Sequence, residues 1–329
     1  MKLSIFCWFL LLPIYCSSQS VQDVQIASIT CVSIQRNNDQ CTQVKIGAKL
    51  YLPPQPTRTL ITITHGSGGV DARHPLYAKR ITEKGFAALV IDHWSGRGIT
   101  AAHFDYLATN AKGARSFNQS IDALRAMNAF NSLPMNFDRF GFIGESMGGG
   151  AALWFQKKYL YDEYRRLFGS ESNVIPNAVV GLYPACEERI NQMAYNKVPI
   201  LILAGELDND TPASNCVKYK EWNNQRHGGN IKLIVLPGQH HDFDAPYPLT
   251  SSDRVQNPSR CVSEIDQGIR TWDKNGEKFQ TTPQGYRDYQ NKCVQPGTQA
   301  PVLSGNTGNP ETGFQQWLDF FTQTIQANP

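Results

Sequence analysis

Six short runs of apolar residues recur between residues 60 and 236, and they predict buried strands. Each run is four to six residues long and is bounded by glycine, proline or polar residues. An uninterrupted apolar run is typical of a strand that is covered on both faces, as in a parallel sheet. The runs cover residues 60–63, 87–91, 140–143, 178–182, 200–203 and 231–236.

Helix-like segments alternate with these runs. They cover about residues 72–84, 115–132, 146–160, 212–226 and 311–326. Apolar residues recur at helical spacing in the last segment, which predicts a helix packed on the core. Alternating strands and helices imply right-handed crossovers, so the pattern predicts an α/β fold with a mostly parallel central sheet flanked by helices. The length allows one large domain or two average ones, and we interpret residues 21–329 as a single domain.

Residues 245–310 break the alternation. They are rich in Pro, Gly, Asn, Gln and Ser, and they hold two cysteines. Asn275-Gly276 between Trp272 and Phe279 predicts a hairpin. We expect this segment to be an irregular surface insertion, pinned by a disulfide, before the C-terminal helix.

The first twenty residues predict a secretory signal peptide. Lys2 precedes an apolar run of about a dozen residues, which is followed by small polar residues. The run is too short to cross a membrane, which takes about twenty apolar residues. A lipid anchor on Cys16 is disfavoured because Tyr15 is bulky. The chain is therefore expected to be exported to the periplasm or the extracellular space.

Removal of the signal peptide leaves an even number of cysteines, and in an exported chain disulfides are the default. These are Cys31, Cys41, Cys186, Cys216, Cys261 and Cys293. Six cysteines allow fifteen pairings; nearness in sequence favours Cys31 with Cys41 and Cys261 with Cys293, which leaves Cys186 for Cys216. No Cys-x-x-Cys pattern supports a zinc or redox site.

The charge balance gives no electrostatic reason to expect a nucleic-acid or membrane partner. The chain has 31 basic and 28 acidic residues. No cofactor and no metal is implied by any motif.

The stretch 144–150, Gly-Glu-Ser-Met-Gly-Gly-Gly, follows one predicted strand and opens a predicted helix. A Gly-x-Ser-x-Gly turn in that context lifts the serine clear of the backbone, where a carbonyl carbon can reach it. A phosphate loop is the alternative, but no Gly-Lys-Ser/Thr follows. Ser146 is therefore the candidate nucleophile.

A nucleophilic serine needs a basic histidine and an acid that orients it. Asp208 and Asp210 follow the strand at 200–203, and His240 and His241 follow the strand at 231–236. An aspartate could instead cap the helix that begins near Pro212. The histidines could instead be a surface pair or part of a metal site, but no third histidine lies at ligand spacing.

The developing oxyanion needs hydrogen-bond donors. One candidate is the backbone amide of Met147, directly after the nucleophile. The other is expected in the glycine-rich loop after the first parallel strand, at Ser67 or Gly66.

Four motifs stand in the order that the α/β-hydrolase superfamily shows: HGSGG at 65–69, GESMGG at 144–149, GELDNDTP at 205–212 and HHDF at 240–243. In detail they resemble the dienelactone hydrolase-like family, as do IDHWSGRG at 91–98 and NFDRFG at 136–141. The resemblance covers about residues 45–245 and the final helix.

This resemblance implies that Ser146 is the nucleophile, Asp208 the acid and His241 the base. Arg97 matches a position where some members hold an anionic group of the substrate, although an arginine there could instead fix a loop. Founding members use cysteine in the elbow, so Ser146 favours ordinary esters over dienelactone.

Two further departures concern the surroundings of the site. Residues 245–310 are longer than usual and could shape or cover the pocket. The connection from Leu182 to Val198 is short and leaves little room for a large lid, which predicts an open pocket.

The sequence thus predicts a secreted or periplasmic serine hydrolase that cleaves a small-molecule carboxylic ester or lactone through an acyl-enzyme. A serine peptidase or an acyltransferase on the same fold is the nearest alternative, and a non-catalytic binding protein is a more distant one.

Overall fold

The computed structural model describes residues 20–33, 40–100, 112–113, 115–131, 137–169, 174–191, 196–252, 259–294 and 301–326. The predicted signal peptide lies outside the described residues except for Ser20.

The described strands are, in chain order, β1 (Ser20–Ser33), β2 (Gln40–Leu52), β3 (Thr59–Thr64), β4 (Ala87–Asp92), β5 (Arg139–Glu145), β6 (Ala178–Leu182), β7 (Glu188–Ile190), β8 (Ile200–Gly205), β9 (Ile231–Leu236), β10 (Thr250–Ser252), β11 (Ser263–Asp266), β12 (Ile269–Trp272), β13 (Lys278–Gln280) and β14 (Val302–Ser304). The described helices are α1 (Arg73–Glu83), α2 (Ser116–Asn131), α3 (Met147–Ala152), α4 (Lys158–Phe168), α5 (Ala213–His227), α6 (Pro283–Cys293) and α7 (Phe314–Gln326).

The central sheet has eight strands in the order β1-β2-β4-β3-β5-β6-β8-β9. Six neighbouring strands of this sheet pair in parallel: β4, β3, β5, β6, β8 and β9. They confirm the six strands expected from the apolar runs. The strands β1 and β2 form an antiparallel hairpin that the apolar runs did not predict, and β2 joins the sheet beside β4.

Helices cover both faces of the sheet. Buried residues of α2, α3, α4 and α5 belong to the core on one face. Those of α1 and α7 belong to the core on the other face, where Trp317 and Phe321 are fully buried. The apolar spacing of the last helix therefore reflects core packing, as predicted.

The helix expected over 146–160 is divided. It runs as α3 to Ala152, continues as a 3-10 turn over Leu153–Gln156, and restarts as α4 at Lys158. Lys157 between them has an extended backbone, and its ammonium lies 3.9 Å from the centre of the Trp154 ring. Three consecutive glycines also weaken the helix at its start.

The insertion is more regular than the sequence indicated. Strands β13, β12 and β11 form a small sheet with β7, which comes from the connection after β6. The hairpin predicted at Asn275-Gly276 is present as β12 and β13. Trp272, Phe279 and Tyr289 form a separate small core beside the Cys261–Cys293 disulfide.

The three disulfides follow the pairing that nearness in sequence favoured: Cys31–Cys41, Cys186–Cys216 and Cys261–Cys293. The first closes the β1–β2 hairpin, and the third pins the insertion. In the residues described, no helix is long and apolar enough to cross a membrane.

Candidate active site

Ser146 stands on a sharp turn between β5 and α3. Its φ of +50° is unusual for a residue with a side chain and is typical of strain held at a functional site. A Cβ at Gly144 would lie 2.2 Å from the carbonyl oxygen of Gly148, and one at Gly148 would lie 2.6 Å from that of Thr64. The turn therefore requires glycine at both flanking positions.

His241 connects the serine with an aspartate. Its Nε2 lies 3.1 Å from Ser146 Oγ, and its Nδ1 lies 2.9 Å from Asp208 Oδ2. In the neutral tautomer with hydrogen on Nδ1, the ring donates to Asp208 and accepts the serine proton at Nε2. The three side chains come from loops after β5, β8 and β9, so the sheet brings together residues that are far apart in sequence.

Asp208, and not Asp210, holds the Nδ1 side of the base. Its Oδ1 accepts from the amides of Asp210 and Thr211 at 2.9 and 2.8 Å, which fixes the carboxylate. The helix α5 has Pro212 as its N-cap residue, so neither aspartate occupies the N-cap position of that helix. Asp210 lies on the other side of the ring, with Oδ2 3.5 Å from His241 Nε2.

The loop at 65–69 contains both residues that the sequence offered as the second oxyanion donor. The amide of Gly66 donates to Glu145 Oε1 at 2.7 Å, so Gly66 is not an oxyanion donor, contrary to one of the two expectations. The carbonyl of Ser67 accepts from Trp94 Nε1 at 3.1 Å, which orients the peptide. Among the described residues, the amides of Ser67 and Met147 donate to no protein group, and they remain the candidate donors.

Carboxylates set the charge of the base. Burial lowers the pKa of His241, but the charges of Asp208 and Asp210 and the hydrogen bond to Asp208 raise it well above its ordinary value. Burial and the nearby Asp210 and Asp208 raise the pKa of Glu187 to about 8. Asp208 and Asp210 therefore place negative charge beside both ring nitrogens of His241, whereas Glu187 is largely protonated at neutral pH.

All the guanidinium hydrogens of Arg97 are bonded within the protein, which favours the alternative that it fixes a loop over a role in anion binding. Its Nη1 and Nη2 donate to Asp122 at 2.8 and 3.1 Å, and its Nε donates to Thr30 at 2.8 Å. Carbonyl groups of Ile29 and His93 accept the remaining hydrogens. The guanidinium is 2% exposed and fixes the loop after β4 against β1.

A buried arginine below the site was not found from the sequence. Arg73 Nη1 lies 2.7 Å from both Glu145 Oε2 and Asp242 Oδ1, and Arg73 Nε lies 3.0 Å from Asp71 Oδ2. Glu145 directly precedes Ser146, Asp242 directly follows His241, and Asp71 lies in the loop that leads into α1. Arg73 thus joins the loop before α1 with the two loops that carry Ser146 and His241.

Tyrosines complete this cluster. Tyr183 OH donates to Asp244 at 2.7 Å and lies 3.0 Å from Glu145, and Tyr77 OH also donates to Asp244. Burial raises the pKa of Asp244 to about 6, although Arg73 and both tyrosines lower it. The ring of Tyr183 packs edge-on against His241, with 4.8 Å between centroids.

The end of the insertion also contacts the site. Ser304 Oγ donates to Asp242 at 2.9 Å, and the amide of Gly305 donates to the carbonyl of His241 at 2.9 Å. The side chain of Asn209 bonds the backbone of Pro301 and Leu303. The strand β14 therefore connects the loop of Asp208 with the loop of His241, so part of the insertion supports the candidate site.

No group of three His, Cys, Asp or Glu side chains among the described residues is arranged to hold a metal ion.

The family model of the dienelactone hydrolase family matches residues 46–260, more than half of the chain. The chain belongs to this family of hydrolases. No curated protein matches it. Among solved structures, a dienelactone hydrolase from Anabaena variabilis is 19% identical, with a TM-score of 0.45, over 69% of this chain and 90% of that one. Esterase 2 of Thermogutta terrifontis, phosphoramylated by tabun, is 15% identical, with a TM-score of 0.44, over 66% of this chain and 85% of that one.

Proposed function

We propose that this hydrolase is an exported serine hydrolase that cleaves carboxylic esters or lactones through an acyl-enzyme. The observation that carries the proposal is the unbroken hydrogen-bond series from Ser146 through His241 to Asp208, at 3.1 and 2.9 Å. Family membership supports hydrolysis of an ester or lactone. Three disulfides support an oxidising compartment.

In the acylation step, Ser146 Oγ attacks the carbonyl carbon while His241 Nε2 takes the hydroxyl proton. The carbonyl oxygen becomes an oxyanion, and the amides of Met147 and Ser67 donate to it. Asp208 stabilises the imidazolium through Nδ1. The C–O bond to the alcohol then breaks, and His241 returns the proton to the leaving oxygen.

In the deacylation step, water takes the place of the alcohol. His241 removes a proton from the water, and the resulting hydroxyl attacks the acyl carbon of the ester on Ser146. Collapse of the second oxyanion breaks the bond to Oγ, and His241 returns the proton to the serine. The carboxylic acid leaves and the triad is restored.

A fluorophosphonate probe tests the nucleophile directly. We expect one adduct by intact mass on the folded protein, located by peptide mapping on the segment that contains Ser146. Because the reaction needs the base, His241→Gln should slow labelling by at least about a hundredfold. Urea-unfolded protein is the control and should not react. An adduct on another residue, or no adduct on the folded protein, would contradict the proposal.

Hydrolysis should increase with pH. Attack requires neutral His241, whose pKa burial lowers but Asp208, Asp210 and Asp242 raise above its ordinary value. We therefore expect kcat/KM for an uncharged ester to rise through an inflection above about pH 6.5, the ordinary histidine value. The measurement is kcat/KM between pH 5 and pH 10, corrected for spontaneous hydrolysis. An inflection below the ordinary value would contradict this electrostatic account.

A further inference from the structure

Asp210 is a carboxylate beside the nucleophile that the proposed mechanism does not use. Its Oδ2 lies 3.5 Å from His241 Nε2, the nitrogen that also contacts Ser146 Oγ. The acid of the triad contacts the opposite nitrogen. Asp210 therefore lies on the side of the ring where the substrate must approach Ser146.

The charge of Asp210 is poorly compensated. His241 is its ion-pair partner, and within the described part of the chain no lysine or arginine lies within 4 Å of it. Its Oδ1 is buried and has no hydrogen-bond partner there. Burial and the charge of Asp208 raise the pKa of Asp210 to about 6, although His241 lowers it, so the carboxylate is ionised in weakly alkaline solution.

The surrounding charges add to this negative potential. Asp208 and Asp242 face the same histidine. The guanidinium of Arg97 bonds Asp122 and three uncharged groups. The other arginine near the site, Arg73, contacts four carboxylates. Neither arginine has a hydrogen to offer a carboxylate on the substrate.

We infer that Asp210 determines the charge preference of the site: it selects esters that are neutral or cationic next to the scissile bond and excludes esters that carry a carboxylate there. This inference rests on the proposed function and specifies its substrate class. Two like charges several ångströms apart near a protein surface repel enough to change kcat/KM by about ten- to a hundredfold.

The test uses three 4-nitrophenyl esters of equal acyl length that end in a methyl group, a carboxylate or a trimethylammonium group. At pH 8 we expect the full-length hydrolase to have a kcat/KM at least about tenfold lower for the carboxylate ester than for the methyl ester. The kcat/KM for the trimethylammonium ester should be at least as high as that for the methyl ester. Ratios are compared at one pH, so a change in the pKa of His241 cancels.

Asp210→Asn should raise the ratio of kcat/KM for the carboxylate ester to kcat/KM for the methyl ester by about tenfold. Asp210→Glu should keep the preference for the methyl ester. Asp266→Asn removes the same charge from the exposed end of β11 and should leave all ratios unchanged. A carboxylate ester hydrolysed as well as the methyl ester by the unmodified protein would overturn the inference, whether or not the variants fold. An unchanged ratio in Asp210→Asn would overturn it as well.

The same experiment separates this inference from the proposed function. If no ester is hydrolysed and the fluorophosphonate probe leaves no adduct, the proposed function is wrong, and the inference fails with it. If the probe reacts and the methyl ester is hydrolysed without any charge preference, only the role of Asp210 is wrong.

Discussion

Ser146→Ala is expected to lower kcat/KM for an activated ester by at least about ten-thousand-fold. In the proposed mechanism the variant lacks the oxygen that forms the acyl-enzyme, and a water molecule in its place would be neither fixed in position nor aligned with the substrate carbonyl. The residual rate should come from the oxyanion donors and from substrate binding. The measurement is initial-rate hydrolysis of a 4-nitrophenyl ester beside the unmodified protein.

The same substitution should leave the fold intact. Ser146 Oγ contacts His241, and the strained φ of +50° remains with alanine. We expect Tm to stay within about 3 °C of the unmodified protein, since substitutions that neither open a cavity nor strand a buried charge have small effects. Ser95→Ala, at an exposed serine, is the control and should retain activity. Full hydrolysis by Ser146→Ala would remove the serine from the mechanism.

The fold and the three residues that meet in the candidate site could be predicted because their signals are local. Each of the six apolar runs became a strand, and glycine patterns marked the turn that carries Ser146. Asp208 and His241 follow strand ends, where side chains of a parallel sheet converge. The choice of Asp208 over Asp210, which the resemblance favoured, agrees with the contact to His241 Nδ1. The catalytic roles themselves stay a prediction.

Contacts between distant residues could not be predicted in this way. Arg73 lies 72 positions from Glu145 and 169 from Asp242, and no local pattern indicates such a pairing. The same limit left two alternatives open for Arg97, whose partner Asp122 lies 25 positions away on α2. An arginine in a loop has the same sequence signal whether its hydrogens face a ligand or a buried carboxylate.

The insertion shows a related limit. Its composition indicated loops, and its hairpin could be predicted from Asn275-Gly276. Its pairing of β11 with β7 and of β14 with β10, and the contacts of Ser304 and Gly305 with Asp242 and His241, involve short strands without strong periodicity. Short strands of this kind are specified by their neighbours more than by their own residues.

Arg73→Met is expected to destabilise the protein by about 3–5 kcal/mol, because it leaves buried carboxylates without their cation. Arg73 is 3% exposed and contacts Glu145 and Asp242 at 2.7 Å each. A loss of this size should lower Tm by roughly 5–15 °C. The rate of hydrolysis per folded molecule should also fall, because the loops of Ser146 and His241 lose the arginine that connects them.

The pH dependence of the destabilisation by Arg73→Met distinguishes an effect of the lost positive charge from an effect of the lost side-chain packing. Burial raises the pKa of Asp242, but Arg73 and His241 lower it well below its ordinary value. In the variant the effect of burial prevails, so the folded state should bind a proton more readily than the unfolded chain. The destabilisation should therefore increase from pH 5 to pH 8.

Arg80→Met on the same helix is the matched control for Arg73→Met. Arg80 pairs with Glu83 and Glu311 at the surface, and exposed pairs of this kind contribute less than about 1 kcal/mol. Adding Asp242→Asn to Arg73→Met removes one of the stranded charges and should recover part of the lost stability. Urea unfolding at pH 5 and pH 8 gives the free energy of unfolding of Arg73→Met, Arg80→Met and the double variant Arg73→Met with Asp242→Asn. Equal effects of Arg73→Met and Arg80→Met would mean that the buried cluster does not stabilise the site, and that the loops of Ser146 and His241 are held by backbone contacts such as that of Gly305 with His241.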